Sequence, residues 1–423
     1  MFHIAVRKQC DVLVCGGGTA GVSAAIAAAR NGARTLLLER QGFCGGICVG
    51  SLVHTLDGLR NCRNHEQFVV GGIGLELVRR LEAARGMATC DNPPECTTFD
   101  PDAFKLMADT MLEEAGVEVL YHLFAVAAVR QQSRLTAVIA AGKEGLWEIR
   151  AEQVIDATGD GDVSAFAGAE FEKHGQMQTM SMHFRIGGLP AGVTWDQFEK
   201  ESRRATDAAY AAGAAPKYGG PWIIRLRDGE VTANCTRLYG DGTSTADLSR
   251  AEREGRRDMM KLLEVMRAGA SIFRNAYLLA AANQIGVRET RRILGDYQIT
   301  AEDVLQTRRF DDAVALGSWP IDIHPADGRV GVHPHKEDPP EPYQIPLGCL
   351  LVRGFENLLV AGRCISATHE AHGSTRVSGT AMALGQAAGT VSALACGQGV
   401  PPRGISNSLL QAQLIDQGAI LGL

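Results

Sequence analysis

The stretch DVLVCGGGTAGVSAAIAAARNGARTLLLE, residues 11–39, decides the fold. Asp11 to Val14 read as a buried strand, Ala20 to Arg30 as a helix of small residues, and Leu36 to Leu38 as a second strand that ends on Glu39. Between the first strand and the helix, Gly16, Gly18 and Gly21 fit the pattern G-x-G-x-x-G. Gly16 permits the tight turn, Gly18 lets the backbone approach a pyrophosphate, and Gly21 lets helix and strand pack closely. The helix N-terminus offers a diphosphate its unpaired amides and the positive end of its dipole. Glu39, eighteen residues beyond Gly21, stands where a carboxylate accepts hydrogen bonds from a ribose diol. Strand, turn, helix, second strand and terminal acid together predict a βαβ unit that binds a dinucleotide.

The residues after Glu39 favour FAD over NAD. In ERQGFCGGICVGS, residues 39–51, Arg40 and Gly42 precede the pair Gly45-Gly46. A nicotinamide domain would proceed here to its next helix and strand, whereas a Gly-Gly loop lets the backbone pass close to a second large group. Near the C-terminus, NLLVAGRCISATHEAHGSTRVSGTAMALGQAAGTVSALA, residues 357–395, reads as a strand (Leu358 to Ala361), a Gly turn, a polar loop and a helix rich in Gly and Ala. A helix whose N-terminus points at a flavin stabilises negative charge on the reduced ring. VIDATGDGDVS, residues 154–164, is a strand running into Ala-Thr-Gly, an element that returns the chain to the nucleotide.

At these three stretches the sequence resembles the FAD-dependent oxidoreductase family, within the glutathione-reductase-type flavin fold. QIGVRETRRILGD (284–296), WPIDIH (319–324) and YQIPLGCL (343–350) are similar to further family stretches, so the resemblance touches nearly the whole chain. It implies an α/β protein: a glutathione-reductase-type FAD-binding Rossmann domain interleaved with a mixed α+β substrate domain. FAD would be held by Gly16, Gly18, Gly21, Glu39, Arg40, Gly45, Gly46, Thr158, Gly159, Gly362 and Arg363, with the backbone at Ala125-Val126 against the adenine. Two positions depart from the pattern. Arg363 stands where many such flavoproteins carry an Asp for the ribityl chain, so those hydrogen bonds must come from elsewhere. Ile345-Pro346-Leu347-Gly348 replaces an expected Ile-Pro-Tyr-Arg, which implies a different substrate or a relocated charge. No second G-x-G-x-x-G follows a strand, so a dedicated NAD(P)H domain is not expected.

Bulk properties agree with an enzyme of this kind. The 423 residues suffice for one large or two medium domains, and a net charge of −6 gives no basic footprint for nucleic acid. MFHIAVRKQ lacks the apolar core of a signal peptide, and no apolar run is long enough to cross a bilayer. Eleven cysteines without a regular framework suit free thiols in a reducing cytosol. The expected layout assigns residues 1–60, 100–170 and 345–423 to FAD and 61–99 and 171–344 to the substrate domain. Expected elements include a helix over Pro101–Ala115 capped by Asp100, a strand over 117–126, and a hairpin turning at Gly142 to Gly145. Beyond these come a strand over 181–189, a helix over Trp195–Ala212, a hairpin at Asp228-Gly229, and a long helix over Thr245–Ala268. Residues 324–342, rich in Pro, His and charge, read as a loop or crossover.

Chemistry is sought first in the C-terminal loop, where His369, His372 and Arg376 fall within eight residues. Arg376 could anchor a substrate carboxylate or stabilise developing negative charge, and a histidine could act as general acid or base. The run HGSTR is similar to the HG-x-x-R stretch of fumarate-reductase and succinate-dehydrogenase flavoproteins. The plainer alternative is an arginine paired with pyrophosphate or a local carboxylate, beside histidines that merely pack. Asp322 and His324, two apart in WPIDIH, would share a face of a strand and could orient an imidazole for proton transfer, or form an ordinary surface pair. Arg288, Arg291 and Arg292 could bind an acidic substrate or ion-pair with Glu289 and Asp296. Cys48 stands where the glutathione-reductase group has its first redox cysteine, but Val53 occupies the partner position, so no matching disulfide is expected. Cys44 and Cys48 could share a helix face as a thiol pair or metal ligands, yet buried thiols beside the flavin fit better; no metal site is expected.

The expectation is therefore an FAD-dependent oxidoreductase that moves a hydride between a small organic substrate and flavin N5. Arg376 would anchor substrate, and His369, His372 or His324 would shuttle the proton. The alternatives are a flavin monooxygenase, suggested by Asp160-Gly161-Asp162-Val163-Ser164, and a flavin-binding electron-transfer subunit. The electron acceptor and assembly into a homo-oligomer are left open.

Overall fold

The computed structural model describes residues 6–90, 92, 97–214, 222–325 and 339–422. The expected βαβ unit is present as β1 (Val6–Cys15), α1 (Thr19–Arg30) and β2 (Thr35–Glu39), with β1 and β2 parallel. β3 (Glu118–Tyr121) adds to the far side of β2, also parallel. On the other side of β1 lies β6 (Gly145–Asp156), preceded in the chain by β4 (Phe124–Gln131) and β5 (Arg134–Gly142). The sheet runs β3-β2-β1-β6-β5-β4. β6 is long enough to serve two partners along one edge. Its first half pairs antiparallel with β5, while Val154, Ile155 and Asp156 pair in parallel with the strand Leu358–Val360. Four neighbouring parallel strands thus end together at Glu39, Cys15, Asp156 and Val360, and a ligand crevice in an open α/β sheet forms outside such ends.

Two helices cover this sheet without being amphipathic. α1 is buried from Thr19 to Ala28, and the closing helix Ser378–Gln398 is buried over most of its length. A helix buried all round needs small residues wherever it meets another backbone. A Cβ on Gly385 would lie 2.1 Å from the Ala20 carbonyl oxygen, and one on Gly389 would lie 2.1 Å from that of Ala24. The Ala-rich and Gly-rich patterns of the two helices therefore record one mutual contact.

A second hydrophobic core lies around a four-stranded antiparallel sheet of Tyr277–Ala281, Phe184–Gly187, Glu230–Ala233 and Ile223–Arg227. Phe184, Ile186, Phe198, Leu262, Leu263 and Phe273 fill it, the last four from or beside the helices Trp195–Ala211 and Thr245–Gly269. Thr194 and Ser244 cap those helices. Asp100 caps Pro101–Glu114 by accepting from the amides of Asp102 and Ala103.

Three expected elements differ. The single strand over 117–126 is two strands, because His122 adopts φ +56° and breaks the run between β3 and β4. Residues 319–324 form no named strand. The polar loop after Gly362 contains a short helix, His369–Thr375, capped by Thr368. Most of the expected loop 324–342 lies outside the described residues, and no described helix is long and apolar enough to cross a membrane.

The Gly389–Ala24 contact leaves no room for a methyl group. Gly389→Ala should lower stability by about 1–3 kcal/mol, the usual cost of overpacking, seen as a lower thermal midpoint. An unchanged midpoint would contradict this packing.

Candidate active site

A long cleft runs across the ends of the four parallel strands. At one end it is lined by Glu39, Arg40 and Gln41 together with Leu123, Phe124 and Ala125; in the middle by Gly16, Gly18 and Gly46; at the other by Thr158, Gly159, Gly362, Arg363 and Ser378. Gly16 has φ +104°, and a Cβ there would strike the Ala157 carbonyl oxygen at 2.5 Å. A Cβ on Gly21 would lie 1.7 Å from the Gly16 oxygen. Gly18 is different. Its Cβ would meet only Gly46 Cα at 3.9 Å, so its backbone is bare toward the cleft, where a bulky phosphate needs it bare. α1 and the closing helix both begin at this cleft, and neither has a side-chain cap or an acidic residue in its first turn. Two uncapped helix N-termini give the cleft a field that favours anions. The residues present thus fit a dinucleotide with a diphosphate at its centre.

Of the expected cofactor residues, Gly21 and Gly45 build the turns behind the cleft, and Val126 lies one residue beyond the lining, which Ala125 supplies. Glu39 lines the cleft and accepts hydrogen bonds from the amides of Gly17 and Gln41, both at 2.7 Å; burial raises its pKa. Asp156 is fully buried and accepts from the amides and hydroxyls of Thr158 and Ser164, which fixes the loop that follows it. Arg363 is held by Asp160 at 2.8 Å and donates to the Thr290 hydroxyl at 3.2 Å. Asp160 therefore brings a carboxylate to the cleft from a different loop than the missing Asp at position 363.

A second cleft adjoins the first, and Ile47, Val287, Arg363 and Arg376 line both. Its other walls include Leu52, His54, Asp57, His183, Trp222, Thr232, Asn234, Arg288, Trp319, Asp322 and His324. Arg376 pairs with Asp322 at 3.0 Å, and Asp322 with His324 Nε2 at 3.0 Å. Burial and the nearby Arg288 push the His324 pKa down to about 3, so the ring is neutral at physiological pH.

The other two candidate histidines line neither cleft. His369 and His372 are three apart on the short helix and lie toward the buried Glu289. His369 Nδ1 bonds Glu289 at 2.8 Å, and the His369 ring stacks on His174. His372 Nε2 donates to the Arg363 carbonyl at 3.0 Å. Arg292 pairs with Glu289 at 2.5 Å and Arg291 with Asp162 at 2.8 Å, while Asp296 pairs with Arg403 rather than with either. Arg288 alone of the three arginines reaches a cleft, donating to the Thr179 carbonyl and the Ser181 hydroxyl. Cys48 lies 3.3 Å from the Ser378 hydroxyl, and burial pushes the Cys44 and Cys48 thiols up to about 12. Among the described residues there is no disulfide and no group of three or more ligating side chains placed to hold a metal. His54 and His183 also line the second cleft, and sequence reasoning did not single them out. Nothing in their spacing marks them, since 129 positions separate them.

A dinucleotide cleft at parallel strand ends, joined to a second polar cleft, defines a cofactor-dependent oxidoreductase. The sequence matches the model of the FAD dependent oxidoreductase family over residues 11–414, and the chain belongs to that family. FAD is its cofactor. Among solved structures it is similar to a geranylgeranyl bacteriochlorophyll reductase-like protein from Thermoplasma acidophilum, with a TM-score of 0.52, 13% identity, and coverage of 97% of this chain and 84% of the other. It is also similar to p-nitrophenol 4-monooxygenase from Pseudomonas putida (TM-score 0.49, 12% identity, 97% and 85% covered) and to a myxobacterial chondrochloren halogenase (0.49, 14%, 96% and 78%). At 13% identity the first of these likenesses speaks to the fold alone.

Burial also sets the acid limit of stability. His54, His183, His324 and His372 are each lowered from 6.5 to about 3, so the unfolded chain takes up protons first as pH falls. Burial alone would raise Glu289, but the hydrogen bond from His369 and the adjacent imidazoles hold it below its ordinary 4.5. Stability present above 6.5 should therefore decline as pH falls toward 3, more steeply once below 4.5. Thermal midpoints across that range should show the decline, and His372→Asn should make it shallower. A midpoint that stays flat from about pH 7 to about pH 5 would contradict the buried neutral histidines.

Proposed function

We propose that this oxidoreductase has the glutathione-reductase type of flavin fold and moves a hydride between a small organic substrate in the second cleft and the flavin in the first. The observation that carries this reading is the seam itself, where Ile47, Val287, Arg363 and Arg376 border both clefts. Bound FAD supplies the hydride-exchanging centre, and the protein supplies position, charge and exclusion of water. Arg376 is held in one orientation by Asp322, so its cationic end is fixed at the seam before substrate arrives. A preorganised positive charge stabilises negative charge that develops beside it without a cost of reorganisation. His324, on the same carboxylate, is the one of the three candidate histidines that lines the second cleft, and it would exchange a proton with a substrate there. His369 and His372 support the site from behind, through Glu289 and the Arg363 carbonyl.

Anaerobic titration of the FAD-loaded protein tests this reading. A panel of hydroxy acids, alcohols, sugars and amines should include a donor that bleaches the flavin band directly. Arg376→Ala should slow that bleaching roughly 10²–10³-fold, the range for removing one preorganised donor, while leaving FAD bound. Reduction only by NAD(P)H, and only with an organic substrate present, would overturn direct transfer in favour of a monooxygenase.

A further inference from the structure

The second cleft contains polar atoms that the fold leaves without protein partners. His54 is only 2% exposed, and neither its Nδ1 nor its Nε2 is hydrogen-bonded. The Thr232 hydroxyl and the Trp319 indole nitrogen, on the same cleft, are buried in the same condition. They come from three separate places: the turn before Thr55, the strand Glu230–Ala233 and the segment 319–324. A buried polar group without a partner is costly, and a native structure that keeps several in one cavity points to a ligand or water that completes them.

Two of the three arginines along this cleft are held by carboxylates. Arg376 is engaged by Asp322, Arg363 by Asp160, and Arg288 lies against neutral oxygens of Thr179, Ser181 and Asn234, with Asp57 also on the lining. Among the described residues, the three arginines of this lining are thus set against its two aspartates, Asp57 and Asp322, and against Asp160, which answers Arg363 from the first cleft. Leu52, Val53, Trp222 and Ile224 add apolar wall.

We propose that the second cleft binds an uncharged, hydroxyl-bearing molecule with an apolar body, recognised by His54, Thr232 and Trp319. A hydroxyl both donates and accepts, which suits a neutral imidazole, a threonine hydroxyl and an indole N–H together. Burial and the Arg185 charge push the His54 pKa down to about 3, so the ring offers one donor and one acceptor at neutral pH. An ionised carboxylate or ammonium would lose its hydration shell to a lining where Arg376 and Arg363 are already engaged by Asp322 and Asp160. This inference rests on the reading of the second cleft as the substrate chamber.

The test uses FAD-loaded protein and three probes of equal size: benzyl alcohol, benzoate and benzylamine, with binding read by calorimetry and by the shift of the flavin band. Benzyl alcohol should bind at least about tenfold more tightly than either ion. His54→Phe should weaken the alcohol about tenfold with FAD content unchanged, and His54→Asn should recover most of the loss. Thr232→Val should weaken it in the same direction, and carries the comparison alone if His54→Phe does not retain FAD. Equal or tighter binding of benzoate or benzylamine, binding of none of the three, or an alcohol affinity indifferent to the substitutions would overturn the inference. Alcohol binding without bleaching by any donor would leave this inference standing and count against hydride transfer. Bleaching by a charged donor that binds more tightly than its neutral counterpart would do the reverse.

Discussion

The structure depends on how closely three backbones approach one another at the end of β1. Gly16, at φ +104°, touches the Ala157 carbonyl that follows β6, and Gly21 of α1 touches Gly16 in turn. No side chain fits at either position. That contact brings the first turn of α1, the loop after β6 and the Gly362 turn to one place, with Asp156 clamping the middle loop through four hydrogen bonds. The closing helix can then lie on α1 only because Gly385 and Gly389 meet the Ala20 and Ala24 carbonyls. With it comes a second uncapped helix N-terminus at the same cleft. A cavity with this field and this bare backbone favours a diphosphate at its centre.

Charge at the seam is arranged by pairing rather than by isolated groups. Arg363 takes the position of a common acid and is answered by Asp160 from a neighbouring loop. Arg376 is answered by Asp322, which also holds His324. The buried Glu289 gathers Arg292 and His369. Each pair fixes a side chain in position, and a fixed charge is what a reacting centre can use.

What the sequence revealed follows from which constraints are local. Gly16, Gly18 and Gly21 were legible because each answers a demand of the backbone within a few residues. The same holds for the Asp100 cap, the hairpin between β5 and β6, and the FAD assignment from Gly45-Gly46 and the closing helix. The break at His122 was not legible, since a β-rich run gives no sign that its two halves join different neighbours. Proximity in sequence misled at His369 and His372. They sit beside Arg376 in the chain, but the short helix turns them toward Glu289, while Arg376 closes that helix and reaches Asp322. Asp322 and His324 come together without the strand that was expected to align them. His54 and His183 escaped notice because only tertiary packing brings them to the second cleft.

The most direct measurement is an experimental structure of the protein with FAD bound. The account predicts the diphosphate at Gly18 and the α1 N-terminus, and the flavin ring at the seam bordered by Ile47, Val287, Arg363 and Arg376, with one face open to the second cleft. A flavin ring placed away from that seam, or a protein that retains no FAD after reconstitution, would contradict it.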